Sequence, residues 1–215
     1  GDADALIDLR PDCIVYAASG PQGDVAAVPD YVRFLQAGIN VVSTTSTRAI
    51  YPPVYDPTFR NQLAEAAKAG GASFYVSGIE PGFALDQLPL VLATQSSSIR
   101  KVHAYELGLY DDYPVASVMM DGMGFGRPMD FAPYIATPGL VLWEGQIRLV
   151  ADALGVEIQQ LRQTVDRAAT DRTLKVACGT LEAGTCGAVR IRCNGVVDGR
   201  DAIIIEHVTR MGRDV

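Results

Sequence analysis

The chain has few of the residues that mark several common classes of protein. Only two of its 215 residues are histidine, one is tryptophan and four are cysteine. No apolar run approaches the roughly 20 residues that cross a bilayer, and no charged-then-apolar leader opens the chain. The 18 Lys and Arg face 25 Asp and Glu, a net charge of −7, whereas nucleic-acid-binding proteins cluster Lys and Arg. We therefore expect a globular, cytoplasmic protein that binds neither nucleic acid nor membrane.

The histidines and cysteines show none of the spacings typical of a zinc site. His103 and His207 lie far apart, and the four cysteines include no C-x-x-C pair. Cys13 falls in an apolar run, residues 13–17, where we expect a buried free thiol. The other three cysteines fall in the last third of the chain, where the sequence leaves a disulfide or a metal open.

The first half of the chain has the pattern of a parallel α/β sheet. Strand-like apolar stretches alternate with helical patterns at residues 25–37 and 59–69, which predicts βαβ units. In a parallel sheet, ligands bind beyond the carboxyl ends of the strands. Most residues predicted at these ends are small or polar, and we expect them to form a cofactor site: Ala18, Ser19, Gly20, Ser43, Thr44, Gly78, Gly82 and Phe83.

The second half changes character near residue 97 and predicts an α+β domain with a largely antiparallel sheet. A strand pattern at residues 100–110 is followed by an amphipathic helix at 142–154. Four further strand patterns occupy residues 157–168, 173–177, 188–193 and 202–210. Asp198-Gly199 predicts a tight hairpin turn between the last two strands. We therefore divide the chain into domains at residues 1–96 and 97–215.

The glycine-rich turn that opens a dinucleotide-binding domain is the element that we do not find before Cys13. Such a turn lets backbone N–H groups approach the pyrophosphate closely. The glycine cluster at Gly122, Gly124 and Gly126 follows no strand pattern. We interpret this cluster as a flexible wall of an apolar pocket.

Four stretches together resemble one family. Residues 11–20 (PDCIVYAASG), 38–43 (GINVVS), 77–89 (SGIEPGFALDQLP) and 205–210 (IEHVTR) are similar to the dihydrodipicolinate-reductase-like group. That group includes 2,4-diaminopentanoate dehydrogenase and the native amine dehydrogenases. The resemblance implies an oxidoreductase that uses NADP or NAD, with a partial Rossmann parallel sheet followed by a substrate and dimerisation domain. It also implies a chain that is incomplete at its N-terminus and lacks the first βαβ unit.

Two departures from the family's pattern bear on the chemistry. The stretch after the strand at 100–110 has neither the His-His pair nor the nearby Lys of dihydrodipicolinate reductases. A cyclic imine is therefore not the expected substrate. The amine dehydrogenases place a catalytic Glu after the strand that ends at Ser43, whereas residues 44–48 contain no carboxylate.

Glu106 is the leading candidate for proton transfer, together with Tyr110 or Glu80. Strand alternation puts Glu106 on one face with Ala104, Gly108 and Tyr110, where its carboxyl group could line a pocket and act as an acid or base. The alternative is a Glu that faces solvent on a half-exposed sheet. His103 and His207 are interpreted as structural or surface residues.

The substrate is predicted to be small and fairly apolar, because Met and aromatic side chains gather near the glycine cluster. The candidate pocket residues are Met119, Met120, Phe125 and Trp143, and the alternative is that they fill the core. We predict an oxidoreductase that acts on a C=O or C=N bond. The rival is a non-catalytic binding or assembly module.

A homodimer is predicted because the strands of the second half carry more apolar residues than one helix covers. Ile203 and Ile205 are expected on the face that a partner would bury. The alternative is a monomer in which residues 83–97 or a loop cover that face.

Overall fold

A computed structural model describes residues 2–18 and 23–215, and of residues 23 and 24 it describes the backbone alone. The chain divides after Leu92 into two compact units, Gly1–Leu92 and Ala93–Val215. Among the described helices, none combines the length and apolar character that a bilayer crossing requires. The predicted domain assignment, with its boundary at residues 96/97, stays a prediction.

The first unit is built on a parallel sheet of three strands. Its strands are β1 (Cys13–Tyr16), β2 (Asn40–Ser43) and β3 (Phe74–Val76), hydrogen-bonded in the order β1-β2-β3. The helices are α1 (Ala3–Asp8), α2 (Gly23–Gln36), α3 (Pro57–Gly70) and α4 (Gln87–Ala93), and 3₁₀ turns span Thr47–Ile50 and Pro52–Val54. The parallel sheet predicted from the alternating pattern is confirmed.

The core of this unit lies on one face of the sheet, against α2 and α3. Tyr31 of α2 is fully buried there, with its ring 4.9 Å from those of Tyr16 and Phe74, and its hydroxyl lies 2.7 Å from Ser43 Oγ. Alternate strand residues point the other way, and Cys13 is among them and is exposed. The prediction of a buried Cys13 is therefore wrong, because an apolar neighbourhood in sequence does not decide which face of a strand a residue occupies.

The second unit contains a mixed sheet of four strands and a smaller hairpin. The large sheet has the order β4 (Val102–Leu109), β9 (Arg200–Arg210), β8 (Cys186–Val197) and β5 (Gln160–Ala169). Only β4 and β9 pair in parallel within it, and β6 (Leu174–Val176) pairs with β7 (Gly179–Leu181). The unit also has a π-helical turn at Ser117–Gly122, a 3₁₀ turn at Tyr134–Ala136 and helix α5 (Glu144–Leu154).

The hairpin between β8 and β9 confirms the turn predicted at Asp198-Gly199. Val197 pairs with Arg200 across the turn, and Asp198 and Gly199 have φ angles of +49° and +72°. Two successive positive φ values are the geometry of the tight turn that Asn-Gly and Asp-Gly favour. The turn therefore sets the pairing at the end of the hairpin, and the register shifts by one residue at Gly195/Val196 before β9 reaches His207.

Helix α5 covers one face of the large sheet. Ile147 of α5 packs closely on Gly195, where an added Cβ would lie 2.6 Å from the Ile147 Cγ2 atom. On the same face Ile203 and Ile205 are each only 1% exposed. The expectation that these two isoleucines need a partner subunit is therefore wrong, because the chain itself buries them. On the other face Tyr105 and Leu107 are exposed, whereas Ile204 is buried.

Candidate active site

The parallel pairing of β4 and β9 sets Glu106 directly beside His207. These two residues are register partners, and the His207 Nε2 atom lies 2.9 Å from the Glu106 Oε1 atom. The His207 side chain is 8% exposed and that of Glu106 is 25% exposed. Glu106 therefore faces a buried histidine on the α5 side of the sheet rather than open solvent.

Tyr110 joins this pair from the turn that follows β4. Its hydroxyl donates to Glu106 Oε1 at 2.9 Å. The ring folds back over Gly108, where an added Cβ would lie 2.2 Å from the Tyr110 Cε2 atom. Gly108 thus leaves the space that lets Tyr110 reach Glu106, and the predicted grouping of Glu106, Gly108 and Tyr110 on one face is confirmed.

The ring of His207 is held from several sides. Thr209, two residues along the same face of β9, places its Oγ1 atom 3.1 Å from His207 Nδ1. The rings of Trp143 and Tyr110 pack edge-on against the imidazole, with centroids 5.8 Å and 5.9 Å away. Both ring nitrogens of His207 therefore have a partner, and two aromatic rings contact the imidazole.

We call Glu106, Tyr110, His207, Thr209 and Trp143 the Glu106 cluster. A carboxyl group that accepts two hydrogen bonds and lies among aromatic rings has a fixed position and limited contact with water. Those are the properties that a general acid or base needs. The cluster is therefore the candidate active site of the second unit.

A second histidine–glutamate pair lies on the opposite face of the same sheet. His103 Nε2 lies 3.0 Å from Glu206 Oε2, and Arg190 Nε lies 2.7 Å from Glu206 Oε1. Here the carboxylate is shared with an arginine, and the His103 side chain is 38% exposed. The Glu206 side chain is only 8% exposed, so a buried carboxylate joins two partly exposed cationic or titratable partners on this face.

In the first unit, several of the predicted cofactor residues lie at the carboxyl ends of the parallel strands. Ala18 follows β1, and its carbonyl accepts from Thr45 Oγ1 at 2.6 Å. Ser43 is fully buried, its side chain bonds to Tyr31 and its carbonyl accepts from Ser77 N, so its role in binding a cofactor stays a prediction. Ser19 and Gly20 lie outside the described residues.

The turn after β3 is tightly built. A Cβ on Gly82, which has a φ of +126°, would lie 2.3 Å from the Gly78 backbone nitrogen. The buried carboxylate of Asp86 holds this turn by accepting from Gly82 N at 2.7 Å and Gln87 N at 2.6 Å. Phe83 is half exposed within the turn. Glu80 also lies in this turn, in the first unit, and its pairing with Glu106 in proton transfer stays a prediction.

The predicted pocket residues divide between the core and the cluster. Met119 and Phe125 are buried to 2% and 0% exposure and fill the interior of the second unit. Met120 packs near Gly179, where an added Cβ would lie 2.7 Å from the Met120 Cε atom. Trp143 contacts His207 directly. Trp143 is itself 7% exposed, and a role of these four residues in lining a substrate pocket stays a prediction.

His207 and Thr209 are the members of the cluster that were not predicted from the sequence as functional residues. Both sit in a strand pattern, and alternation alone would place them on one face. What the sequence does not reveal is that β9 pairs with β4, about 100 residues earlier, with His207 opposite Glu106. One sequence pattern could have indicated the pair: on a single face, each strand carries one carboxylate or histidine among apolar and small residues. That pattern does not identify which strand is the partner.

A family model described as the 2,4-diaminopentanoate dehydrogenase C-terminal domain matches residues 83–213. The chain belongs to this family. The match spans nearly the whole second unit, including every member of the Glu106 cluster. The first unit is matched by an individual relative that covers 98% of the chain.

Two curated relatives of this dehydrogenase family cover most of the chain. An amine dehydrogenase of Streptomyces virginiae is 38% identical over 218 residues, which is 98% of this chain and 59% of that protein. The 2,4-diaminopentanoate dehydrogenase of Acetoanaerobium sticklandii is 24% identical over 184 residues, 83% of this chain and 51% of that protein. The chain thus spans between half and three fifths of these relatives' lengths.

The fold is shared with a solved structure. The structure of an amine dehydrogenase from Mycobacterium smegmatis superposes with a TM-score of 0.75 at 17% identity, over 97% of this chain and 61% of that chain. The chain therefore has a Rossmann-type parallel sheet of three strands followed by an α+β domain with a mixed sheet.

Proposed function

We propose that this chain is part of an NAD(P)-dependent oxidoreductase that acts on the C=O or C=N bond of a small, fairly apolar molecule. The observation that carries the proposal is the Glu106 cluster, a fixed carboxyl group among aromatic rings. It lies in a chain whose family and 38%-identical relative are named as dehydrogenases. A dehydrogenase that reduces such a bond needs one proton donor beside its hydride source, and Glu106 fits that need.

The first unit supports one part of a dinucleotide site. The ends of β1, β2 and β3 bring Ala18, Thr44 and Gly78 to the same edge of the sheet, as expected where ligands bind to parallel sheets. Gly78 and Gly82 themselves add no side chain at that edge, where an added Cβ would meet backbone atoms. We propose that these residues, with Phe83, hold the cofactor, whose identity as NADP or NAD stays open. When bound, the cofactor supplies or accepts the hydride.

The residues of the second unit would handle the proton. Glu106 would give a proton to the substrate in reduction and take one in oxidation. Tyr110 holds the carboxyl group in place through its hydroxyl, and Trp143 covers His207 and limits the entry of water. A carboxyl group held in a fixed position exchanges protons with a bound molecule more effectively than a mobile one.

Glu106→Gln tests the proposal. The amide keeps the size of the side chain but cannot exchange the proton, so kcat should fall by about 10²–10⁴-fold. Cofactor affinity, measured by calorimetry, should stay nearly unchanged. The protein should be assayed in its full natural length with NADH and NADPH against a panel of small ketones, aldehydes and amines.

Glu157→Gln is the matched control, because Glu157 is an exposed glutamate outside the cluster. We expect its kcat to equal that of the wild type. Turnover by Glu106→Gln at the wild-type rate would remove Glu106 from the reaction.

A non-catalytic binding or assembly module is the second candidate. The observation in its favour is that residues 44–48, directly after β2, contain no carboxylate where the amine dehydrogenases are expected to have one. Tight cofactor binding without turnover of any substrate in the panel would favour this second function.

A further inference from the structure

We propose that His207 is a positioning residue for Glu106. Thr209 and Glu106 hold it with a proton on Nε2, and His207 and Tyr110 together occupy Glu106 Oε1. The proton that Glu106 exchanges is therefore carried on Oε2. The assignment of the exchanged proton to Oε2 rests on the proposed function, whereas the arrangement of the His207 ring does not.

The two carboxyl oxygens of Glu106 differ in their hydrogen-bond partners. Among the described residues, both hydrogen bonds to this carboxyl group fall on Oε1, one from Tyr110 Oη and one at 2.9 Å from His207 Nε2. An oxygen that accepts two hydrogen bonds has little remaining capacity for a proton of its own. Oε2 is thus the atom left to carry the proton in the neutral acid.

The hydrogen-bond partners of His207 determine which of its ring nitrogens carries the proton. An ionised carboxylate only accepts hydrogen bonds, so the 2.9 Å contact requires the hydrogen to lie on Nε2. A neutral imidazole then has an acceptor at Nδ1, to which the Thr209 hydroxyl donates. If the ring becomes an imidazolium, the same hydroxyl accepts from Nδ1–H. Thr209 therefore keeps the ring in one orientation in both charge states, with Nε2–H directed at Glu106.

Hydrogen bonds and aromatic contacts together prevent the imidazole ring of His207 from turning. A rotated imidazole would exchange the places of a nitrogen and a carbon and break both hydrogen bonds. Trp143 and Tyr110 pack edge-on against the ring at 69° and 85°, and His207 is buried. Two hydrogen bonds and two aromatic contacts thus determine a single orientation, which is how supporting residues hold a reacting group in place.

The arrangement of the ring is tested on the chain alone, without cofactor or substrate. Long-range ¹H–¹⁵N correlation spectra distinguish the two neutral tautomers and the imidazolium, and His103→Gln assigns the only other histidine signal. We expect His207 to show a directly bonded Nε2–H proton that exchanges slowly with water. A ring protonated on Nδ1 alone would overturn the proposal, whatever the protein's activity.

The positioning role is tested by a pair of substitutions in the active, full-length protein. His207→Leu removes the donor to Oε1, and kcat should fall by about 10²-fold at nearly constant KM, because a misplaced carboxyl group costs about that much. His207→Gln retains an N–H donor and should recover most of that loss. Equal loss in both variants, or no loss in His207→Leu, would overturn the positioning role.

The control pair is His103→Leu and His103→Gln. His103 makes the same kind of contact with a glutamate, at 3.0 Å, on the opposite face of the same sheet. We expect both variants to keep the wild-type kcat. A protein that shows the expected His207 spectrum but turns over no substrate would contradict the proposed function and leave the arrangement of the ring established.

Discussion

At the scale of single residues, the reach of Tyr110 depends on the absence of a side chain at position 108. An added Cβ on Gly108 would lie 2.2 Å from the Tyr110 ring, so Gly108→Ala should push the ring away and break its hydrogen bond to Glu106. A lost hydrogen bond of this kind costs about 1 kcal/mol of the free energy of unfolding. We expect urea denaturation to show a loss of that size.

A double-mutant cycle identifies the cause of that loss. Tyr110→Phe alone should cost about the same amount, and adding it to Gly108→Ala should cost almost nothing more, because the bond is already gone. Gly122→Ala is the control, since the nearest atom to an added Cβ there is 3.7 Å away. Additive losses from the two substitutions would show that Gly108 does not act through Tyr110.

At the scale of elements, the parallel sheet of the first unit is covered by described helices on one face only. On the other face Val15 is 72% and Tyr75 is 54% exposed, and Cys13 lies beside them. Cys178 and Cys186 are buried in the second unit, and burial raises the pKa of each thiol, an effect that the Arg167 guanidinium partly opposes at Cys186. Burial therefore slows the reaction of these thiols in two ways. It limits the access of a reagent, and by raising the pKa it lowers the fraction of the reactive thiolate.

Thiol titration of this chain at neutral pH therefore tests which face is open. We expect one of the four cysteines to react with a disulfide reagent in a fast phase, and the other three to react slowly or only in denaturant. Cys13→Ser should abolish the fast phase. A Cys13 that reacts as slowly as the rest would show that something covers this face.

The local parts of both sheets follow from the sequence, whereas their partners do not. Alternation in β4 separates Glu106 from Tyr105 and Leu107, and Asp198-Gly199 determines the β8–β9 hairpin, because both depend on neighbouring residues only. The parallel pairing of β4 with β9 joins segments about 100 residues apart. No local preference specifies that contact, which is why Glu106 was predicted and its partner His207 was not.

At the scale of the whole molecule, we now propose that a second copy binds the face of the large sheet opposite α5. Tyr105 and Leu107 are 52% and 55% exposed on β4, beside a network of His103, Glu206 and Arg190 that carries both signs of charge. A face with apolar residues and both charges can complement itself about a two-fold axis. Tyr105 and Leu107 therefore replace Ile203 and Ile205 as the proposed interface residues, because α5 already buries the two isoleucines.

Light scattering at micromolar concentration tests the homodimer. We expect the mass of two chains, and we expect Leu107→Lys combined with Tyr105→Lys to give the mass of one, because a buried lysine without a partner is costly at an apolar interface. Leu9→Lys is the control, since Leu9 is 75% exposed in the first unit and lies outside this face. A wild-type chain that scatters as a single copy, or a dimer that persists in the double variant, would exclude this face as the interface.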